Sequence, residues 1–265
     1  MSNLYHYTTF QNFDSILKSK SLWLGNVHYM NDRSEMSQVF KYIKEELYQA
    51  YPDKKEEFDK LFEVQSKRFG SAPAYVFSFS GQRDDAAQWD RYANNGAGLC
   101  IKFNEDALKE ITRGKAELFP VKYDSDDTCR TYKKVLDMFI ENGFSDIEDV
   151  EISNLFTLAW SSSITYKHPS FRAEDEMRLC AFPFGFNGIE PELVQYVVTS
   201  NGVKEYYSIN LDPDGSRMKG LIEEIILGPK ARVDRNVYYR YLQKICGGRI
   251  DFDGMKITAS DCPLI

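Results

Sequence analysis

The chain has 265 residues, a formal net charge of −7 and a charged fraction of 28%. This composition is typical of a soluble globular protein, and the acidic balance argues against a broad electrostatic grip on nucleic acid. Nucleic acid as a substrate stays open, because a local basic groove would suffice. The apolar runs are too short for a membrane span and residues 1–20 lack a signal-peptide pattern, so we expect a cytoplasmic protein without a membrane partner.

The cysteines, histidines and common motifs set further limits. The five cysteines are an odd number and, beside only three histidines, form no C-x-x-C or other metal-ligand spacing. Neither a disulfide framework nor a zinc cluster is therefore expected. The phosphate-binding P-loop, the dinucleotide fingerprint and the G-x-S-x-G elbow are also missing. We expect reduced cysteines, no bound metal and none of the common catalytic frameworks.

Hydrophobic periodicity predicts a series of elements in chain order. They are a strand over 4–8, a helix capped by Thr8 and Gln11, a strand at 21–24, helices over 35–50 and 54–69, a strand over 74–80, a helical turn at 84–93, a strand over 99–103, a mainly helical stretch over 127–165, a strand over 174–181, a hairpin over 195–209 that turns at Asn201-Gly202, a strand over 222–227, a helix over 233–245 and a strand near 256–259. The irregular alternation favours an α+β fold with a mixed or antiparallel sheet. We expect one domain over 1–265, with a helical insertion at about 127–165.

Two short motifs about 170 residues apart carry the chemistry. The first is L-Y-H-Y-T at 4–8, and the second is the E-x-E-x-R of Glu174, Glu176 and Arg178. Residues two apart in a strand share a face, so the two carboxylates and the guanidinium would project together. A histidine beside such a carboxylate pair suits a site that binds ribose hydroxyls. The alternatives are a partly buried His6 bonded to backbone and an exposed strand face with an ion pair.

Other polar and aromatic residues have a structural and a functional interpretation. Trp89 and Tyr92 are three apart on a helix and would share a face, with core packing as the default and Tyr92 as the one to show its hydroxyl to a site. Asn31-Asp32 fits an Asx turn that caps the helix near residue 35. A local basic set could meet a pyrophosphate or a nucleic-acid backbone. Its members are Lys167, His168, Arg172 and Arg178.

The motifs, taken in order, resemble a widespread bacterial family known as a domain of unknown function. They are L-Y-H-Y-T (4–8), L-W-L (22–24), N-D-x-x-E (31–35), F-S-F-S (77–80), Q-W-D-R-Y-A (88–93), G-L-C-I-K-F (98–103), K-H-P-S-F (167–171) with E-x-E-x-R (174–178), and E-I-I-L-G-P (224–229). That family is in turn similar to the ADP-ribosyltransferase superfamily, which includes toxins that modify DNA and RNA.

The resemblance implies a fold, a substrate and a set of site residues. The fold would be ADP-ribosyltransferase-like, a split mixed or antiparallel sheet with flanking helices, and the substrate would be NAD. His6, with Tyr7 and Thr8 beside it, would match the first-strand histidine that binds NAD, and Glu176 the catalytic carboxylate. Glu174 completes the E-x-E and would orient or deprotonate the nucleophile, while Arg178 or Arg172 would face a phosphate. Tyr92, Trp89 and Ser78 compete for the central position that stacks on nicotinamide.

The expected function is that of an NAD-dependent ADP-ribosyltransferase or NAD glycohydrolase, acting as a bacterial toxin or antiviral-defence effector. DNA, RNA or protein would each serve as the acceptor macromolecule, and a neutralising partner would fit such a role. A second interpretation is a non-catalytic module of the same fold that binds a nucleotide or a partner protein. A third is a nuclease-like hydrolytic effector, which lacks an evident metal-binding set.

Overall fold

The computed structural model describes residues 3–29, 34–70, 72–123, 137, 150–182, 188–199, 202–212, 218, 220–247 and 254–263. Within these residues the chain forms ten strands: β1 Leu4–Thr8, β2 Ser21–Asn26, β3 Tyr75–Ser80, β4 Leu99–Phe103, β5 Glu117–Pro120, β6 Glu176–Ala181, β7 Val194–Thr199, β8 Gly202–Asn210, β9 Ile222–Leu227 and β10 Lys256–Ala259. It also forms seven α-helices: α1 Phe10–Ser19, α2 Ser34–Ala50, α3 Lys55–Gly70, α4 Ala86–Tyr92, α5 Glu105–Thr112, α6 Val150–Ser163 and α7 Arg235–Cys246.

The ten strands form one mixed sheet. Their order is β10-β9-β4-β1-β3-β2-β8-β7, with β6 paired to β3 and β5 paired to β6. β9 and β10 run parallel, whereas the other strand pairs run antiparallel. Helices and strands alternate without a regular βαβ repeat. The α+β fold with a mixed sheet that the sequence predicts is therefore confirmed.

The sheet divides into two wings at β3. One edge of β3 pairs with β6 along its whole length, from Tyr75 to Ser80. The other edge is shared, because β2 pairs with the first two residues of β3 and β1 pairs with Ser80 through Tyr5. Among the described strand pairs, residues 77–79 have no partner on this shared edge. The wing of β1, β4, β9 and β10 thus separates there from the wing of β2, β8 and β7.

Two large groups of buried side chains hold the helices on the sheet. The first packs α1, α5 and α7 against the sheet and includes Phe13, Leu108 and Leu242. The second packs α2, α3 and α6 against β3 and β6 and includes Ile43 and Trp160. Burial of a side chain of this size stabilises a fold by about 1.5–3 kcal/mol relative to exposure. These helices fix the positions of the strands that carry the candidate site.

A third, smaller group fixes α4 on β1. The Asp85 carboxylate caps the helix by accepting a hydrogen bond from the Gln88 backbone N–H at 3.0 Å. Trp89 is fully buried, meets the Tyr7 ring edge-on at 4.9 Å between centroids, and donates from Nε1 to Asp84 Oδ1 at 2.7 Å. Because both ends of the first helical turn are anchored, α4 holds a fixed rotation about its axis. That rotation decides which of its side chains reach the site.

The connection from α4 into β4 depends on Gly98. A Cβ at this position would lie 2.2 Å from the Thr8 carbonyl oxygen and 2.9 Å from that of Ala93. Both are backbone atoms, which cannot move aside as a flexible side chain would. The Gly98 N–H uses the space to donate to Ala93 O at 2.8 Å. The glycine thus allows β4 to approach β1 closely.

Two predicted helix and strand starts are displaced by one or two residues. Thr9, and not Thr8, caps α1, because its Oγ1 accepts a hydrogen bond from the Asn12 N–H at 3.1 Å. β6 starts at Glu176 and not at 174, because a 3₁₀ helix covers Pro169–Glu174 and the next residue has a left-handed backbone. Glu174 and Glu176 are therefore not two residues of one strand.

Two other predicted regions differ from the structure in detail. The predicted hairpin is present, and Gly202, which the sequence places at the centre of the turn, is the first residue of β8 and pairs with Thr199. α5 and β5 were not predicted. α6 lies inside the predicted helical insertion, whereas most of 127–149 and the predicted Asn31-Asp32 cap lie outside the described residues. The single domain over 1–265 stays a prediction.

Cys100, Cys180 and Cys246 are buried and Cys262 is partly buried, and none of these four cysteines forms a disulfide. In the part of the chain that the structure describes, no helix has the length and apolar character that a membrane crossing needs.

Candidate functional site

A cleft of about 330 Å³ opens where β1, β3 and β6 meet. α4 and the segment from 167 to 174 form its sides. Seven of the nine sequence-predicted site residues line it: His6, Tyr7, Ser78, Tyr92, Glu174, Glu176 and Arg178. The structure thus brings the first strand and the E-x-E-x-R segment to one cavity of a size typical for a small-molecule site.

His6 sits at the point where the two wings of the sheet separate. Its ring stacks on Phe77 at 4.2 Å between centroids, and Nδ1–H donates to the Ser78 carbonyl oxygen at 3.0 Å. Burial lowers the pKa of His6 to about 4, although the bond to Ser78 opposes the shift. The ring is therefore neutral at physiological pH. With the proton on Nδ1, Nε2 is a hydrogen-bond acceptor and suits a ligand hydroxyl.

Tyr7 orders the loop that leads from β3 into α4. Its hydroxyl donates to the Gln82 carbonyl oxygen and accepts from the Asp85 N–H, both at 2.9 Å. Ser80 reinforces the same corner, because its Oγ donates to the Glu174 carbonyl oxygen at 2.6 Å. The loop, α4 and the carboxylate segment are thereby tied to one another around the cleft.

Five side chains of alternating charge form a continuous chain along the cleft. Lys167 is its centre, with Nζ 2.6 Å from Glu174 Oε2 and 2.9 Å from Glu176 Oε2. Arg91 Nη1 reaches the other oxygen of Glu174 at 2.8 Å. Arg178 Nε reaches the other oxygen of Glu176 at 2.8 Å. Both predicted catalytic carboxylates are therefore held by two cations each.

The environment keeps Glu176 and Lys167 in their charged forms. Burial alone would raise the pKa of Glu176, but Arg178 and Lys167 outweigh burial and hold the pKa below its ordinary value. Burial would likewise lower the pKa of Lys167, yet Glu176 and Glu174 raise it. A carboxylate kept in its charged form can stabilise positive charge and accept hydrogen bonds. It is unsuited to act as a proton donor near neutral pH.

Arg178 and Tyr123 fix Glu176 from the protein side. Arg178 is 2% exposed and also donates from Nη1 to the Ile164 carbonyl oxygen. The Glu176 N–H donates to the Tyr123 hydroxyl at 2.7 Å. Because its donors engage protein groups, Arg178 acts as a support for Glu176. These contacts speak against the predicted role of Arg178 in facing a phosphate.

α4 places two side chains in the cleft, and they differ from the predicted pair. Trp89 and Tyr92 do not share a face: Trp89 lies in the core with 0% exposure, whereas Tyr92 is 45% exposed and lines the cleft. Gln88, one helical turn before Tyr92, lines the cleft with it. Thr8 is buried and is not among the lining residues. Of the three candidates for stacking on nicotinamide, Tyr92 and Ser78 remain in the cleft.

An aromatic ring covers the charged side of the cleft. Phe171 lines it, and Lys167 Nζ lies 5.0 Å from the centre of its ring, with the Arg91 guanidinium at 5.9 Å. Both distances are within the range of a cation–π contact. The ring therefore limits access of water to the Lys167 ammonium group from that side.

Three residues have contacts in the site that the sequence does not predict. The sequence predicts Lys167 only as a member of a basic set that could meet a pyrophosphate or a nucleic-acid backbone, and Arg91 and Gln88 only as part of the Q-W-D-R-Y-A motif. Because α4 and the 167–176 segment are far apart along the chain, no local pattern predicts the contacts between them.

Among the described residues no cluster of three or more His, Cys, Asp or Glu could hold a metal ion.

Sequence comparison gives one family. Residues 88–179 match the model of the family described as protein of unknown function (DUF2971). The matched DUF2971 segment runs from α4 to β6 and so contains Gln88, Tyr92, Lys167 and the carboxylate pair, but not the strand of His6. It supports the predicted resemblance to a domain of unknown function. No curated protein and no solved structure matches the chain.

Proposed function

We propose that the protein is an NAD-dependent ADP-ribosyltransferase or NAD glycohydrolase whose active site is the cleft between β1, β3 and β6. The observation that carries the proposal is the meeting of a neutral His6 and an ionised Glu176 in one cavity, from strands that are far apart in sequence. An unprotonated imidazole nitrogen and a carboxylate are the acceptors that two sets of ribose hydroxyls require.

In the proposed reaction His6 Nε2 accepts a hydrogen bond from a ribose hydroxyl of the adenosine half. Glu176 accepts one from the 2′-hydroxyl of the nicotinamide ribose. Its two oxygens offer about four lone-pair sites, so the bonds from Lys167 and Arg178 leave room for a ligand. Tyr92 packs against the nicotinamide ring, since it is the exposed aromatic side chain of α4 in the cleft.

The chemistry needs positive charge to be stabilised on the ribose. The bond between nicotinamide N1 and ribose C1′ breaks, and nicotinamide leaves with the bonding electron pair. The Glu176 carboxylate stabilises the resulting oxocarbenium-like ribose. An acceptor hydroxyl or amine, or water, then adds to C1′, and its proton passes to the Glu174 carboxylate. The acceptor decides between the transferase and the glycohydrolase outcome.

Arg91 is the cation in this arrangement that suits the phosphates. Its side chain is 49% exposed and uses Nη1 for Glu174. The remaining guanidinium donors have no partner among the described residues. A guanidinium of this kind at the edge of a site can bind a phosphate oxygen.

The test is nicotinamide release from NAD by the purified protein and by Glu176→Gln. Removal of one charge-stabilising group typically costs about 10²–10³ in rate. We expect a loss of that size, with the thermal unfolding transition still cooperative. Glu224→Gln is a matched control, because Glu224 is also a strand glutamate held by an arginine, Arg83, at 2.9 Å, but outside the cleft. Full activity in Glu176→Gln would refute the role of this carboxylate.

Labelled NAD incubated with a bacterial lysate identifies the acceptor. Transfer of label to DNA, RNA or protein would support a toxin or antiviral effector. Free ADP-ribose alone would support a glycohydrolase.

A non-catalytic nucleotide-binding module is the second candidate. The observation that favours it is that all four oxygens of Glu174 and Glu176 already meet cations of the protein. This candidate predicts NAD or ADP-ribose binding with no release of nicotinamide, in the wild type and in Glu176→Gln alike.

A further inference from the structure

The polar groups of the cleft fall into two classes. The charged ones, on Lys167, Arg178 and the two glutamates, pair with one another or, for Glu174, also with Arg91 at the edge of the cleft. Among the neutral ones, the Tyr7 and Ser80 hydroxyls bond protein groups, whereas His6 Nε2, the Ser78 hydroxyl and the Gln88 amide line the cleft without a hydrogen-bond partner among the described residues. These three groups are therefore the natural contacts of a ligand.

Gln88 is the least explained of the three. The residue is 5% exposed, and it lines the cleft. Its backbone N–H is used by the Asp85 cap, but its side-chain amide is not engaged by any described residue. Although the residue as a whole is buried, its amide atoms reach the space of the cleft, where a ligand can bind them. The helix does not need this side chain for its own stability, because Asp85 and Trp89 already anchor α4.

The side-chain amide presents one acceptor and one donor side by side in a plane. Its complement is a ligand edge with one donor beside one acceptor. A primary carboxamide has such an edge, and so does the N6/N7 edge of adenine. A carboxylate does not, because both of its oxygens accept, and the Gln88 carbonyl oxygen would face a second acceptor.

The position of Gln88 distinguishes the two ends of NAD. It lies one turn from Tyr92 on the cleft face of α4, and Arg91, three residues further along the same helix, reaches Glu174 Oε1 at 2.8 Å. Gln88 therefore belongs to the carboxylate side of the cleft. In the proposed reaction the scissile bond must lie beside Glu176, and the leaving group carries a carboxamide.

We infer that Gln88 selects the substrate by pairing its amide with the carboxamide of the nicotinamide ring, which makes it a specificity-determining residue. The inference rests on the proposed function. It restricts the substrate to dinucleotides with a pyridine carboxamide and excludes the acid analogue.

The test measures binding and turnover separately. Nicotinamide, nicotinate and adenosine are titrated by NMR into the wild type, Gln88→Met and Gln88→Glu. Nicotinamide release from NAD is compared with nicotinate release from nicotinic acid adenine dinucleotide. Gln11→Met is a matched control, since Gln11 is an exposed glutamine on the outer face of α1. Thermal unfolding identifies any variant that fails to fold.

We expect the wild type to prefer nicotinamide to nicotinate, and NAD to its acid analogue, by at least about tenfold. Gln88→Met should lose about tenfold in nicotinamide affinity and keep its adenosine affinity, so that the preference disappears. Gln88→Glu should lose nicotinamide as well, because it cannot donate to the carboxamide oxygen. Gln11→Met should behave as the wild type.

The contrary outcomes separate the inference from the proposed function. If the wild type cleaves NAD and Gln88→Met keeps the preference for the amide, the inference is wrong and the proposed function stands. If Gln88→Met loses adenosine and keeps nicotinamide, Gln88 reads the adenine edge and the carboxamide assignment is wrong. If the wild type binds neither nicotinamide nor NAD, the proposed function and the inference both fail.

Discussion

Replacing Lys167 by methionine removes the one cation that both cleft carboxylates share. The Lys167 bonds of 2.6 and 2.9 Å meet at one nitrogen, so the two Oε2 atoms lie no more than 5.5 Å apart. Without the ammonium group these two negative charges face each other directly. At an effective dielectric constant of about 20, two unit charges at this distance repel by about 3 kcal/mol, and in the wild type the ammonium group between them offsets this repulsion. That repulsion corresponds to roughly 2 pKa units.

We therefore expect one carboxyl of the pair to titrate about 2 units higher in Lys167→Met than in the wild type. Arg91 and Arg178 remain in this variant, and each still pairs with one carboxylate. We therefore expect Lys167→Met to lower the unfolding free energy by about 3 kcal/mol, the lower end of the range for breaking a buried ion pair. Lys167→Arg keeps the charge and should lose less.

The assay is an NMR titration of the glutamate side-chain carbons between about pH 3 and about pH 8, a range that covers carboxyl groups with ordinary and with raised pKa values. Urea unfolding at several pH values measures the stability. Lys18→Met is the control, because Lys18 is 62% exposed and its 2.7 Å bond to Asp14 is of similar length. An exposed pair of this kind contributes about 0–1 kcal/mol. Unchanged glutamate titrations in Lys167→Met, with a loss of stability no larger than in Lys18→Met, would refute the electrostatic argument.

Two further predictions concern β1. In the folded protein His6 has a pKa of about 4, whereas in the unfolded chain it takes up a proton near pH 6.5. Its contribution to stability is therefore complete above pH 6.5 and declines as the pH falls towards 4. In urea unfolding, His6→Asn should abolish up to about 3 kcal/mol of this acid-dependent loss, and a dependence of unfolding free energy on pH equal to that of the exposed-site control His168→Asn would disprove the assignment. Gly98→Ala should lower the unfolding free energy by about 1–3 kcal/mol, because its Cβ would lie 2.2 Å from a backbone oxygen. The control Gly25→Ala, whose Cβ would have its nearest contact at 4.0 Å, should change the unfolding free energy by less than about 0.5 kcal/mol, and equal effects of the two substitutions would contradict the steric account.

The parts of the fold that could be predicted are those with a local signal. β4 is an alternating run that follows Gly98, β9 ends before Gly228-Pro229, and the β7–β8 hairpin is marked by two β-rich runs around Asn201-Gly202. Helix and strand ends were less certain, because neighbouring residues compete for the same cap, as Thr8 and Thr9 do. α5 also carries a local signal, because Asn104 caps it and its side chain accepts a hydrogen bond from the Ala107 N–H at 2.9 Å.

The candidate site could be predicted in its residue types but not in its connections. The first-strand histidine and the E-x-E-x-R segment were recognised as one site, and the structure does bring them to one cleft. The ion pairs of Arg91 and Lys167 depend on how α4 packs against the 167–176 segment, which no local pattern encodes. The rotation of α4 also depends on tertiary contacts, since the burial of Trp89 turns Gln88 and Tyr92 towards the cleft.

Between the two wings of the sheet, residues 77–79 of β3 have no strand partner among the described pairs, and the Ser78 carbonyl oxygen accepts its hydrogen bond from the His6 side chain instead. We call this place the seam of the sheet. A ligand hydroxyl that donates to Nε2 draws electron density from the ring and makes Nδ1–H a stronger donor. A ligand in the cleft would therefore strengthen the hydrogen bond between His6 and Ser78. The imidazole ring would then hold the two wings of the sheet together more firmly. Slower amide exchange along the shared edge of β3 would then be a measure of occupancy that needs no catalysis.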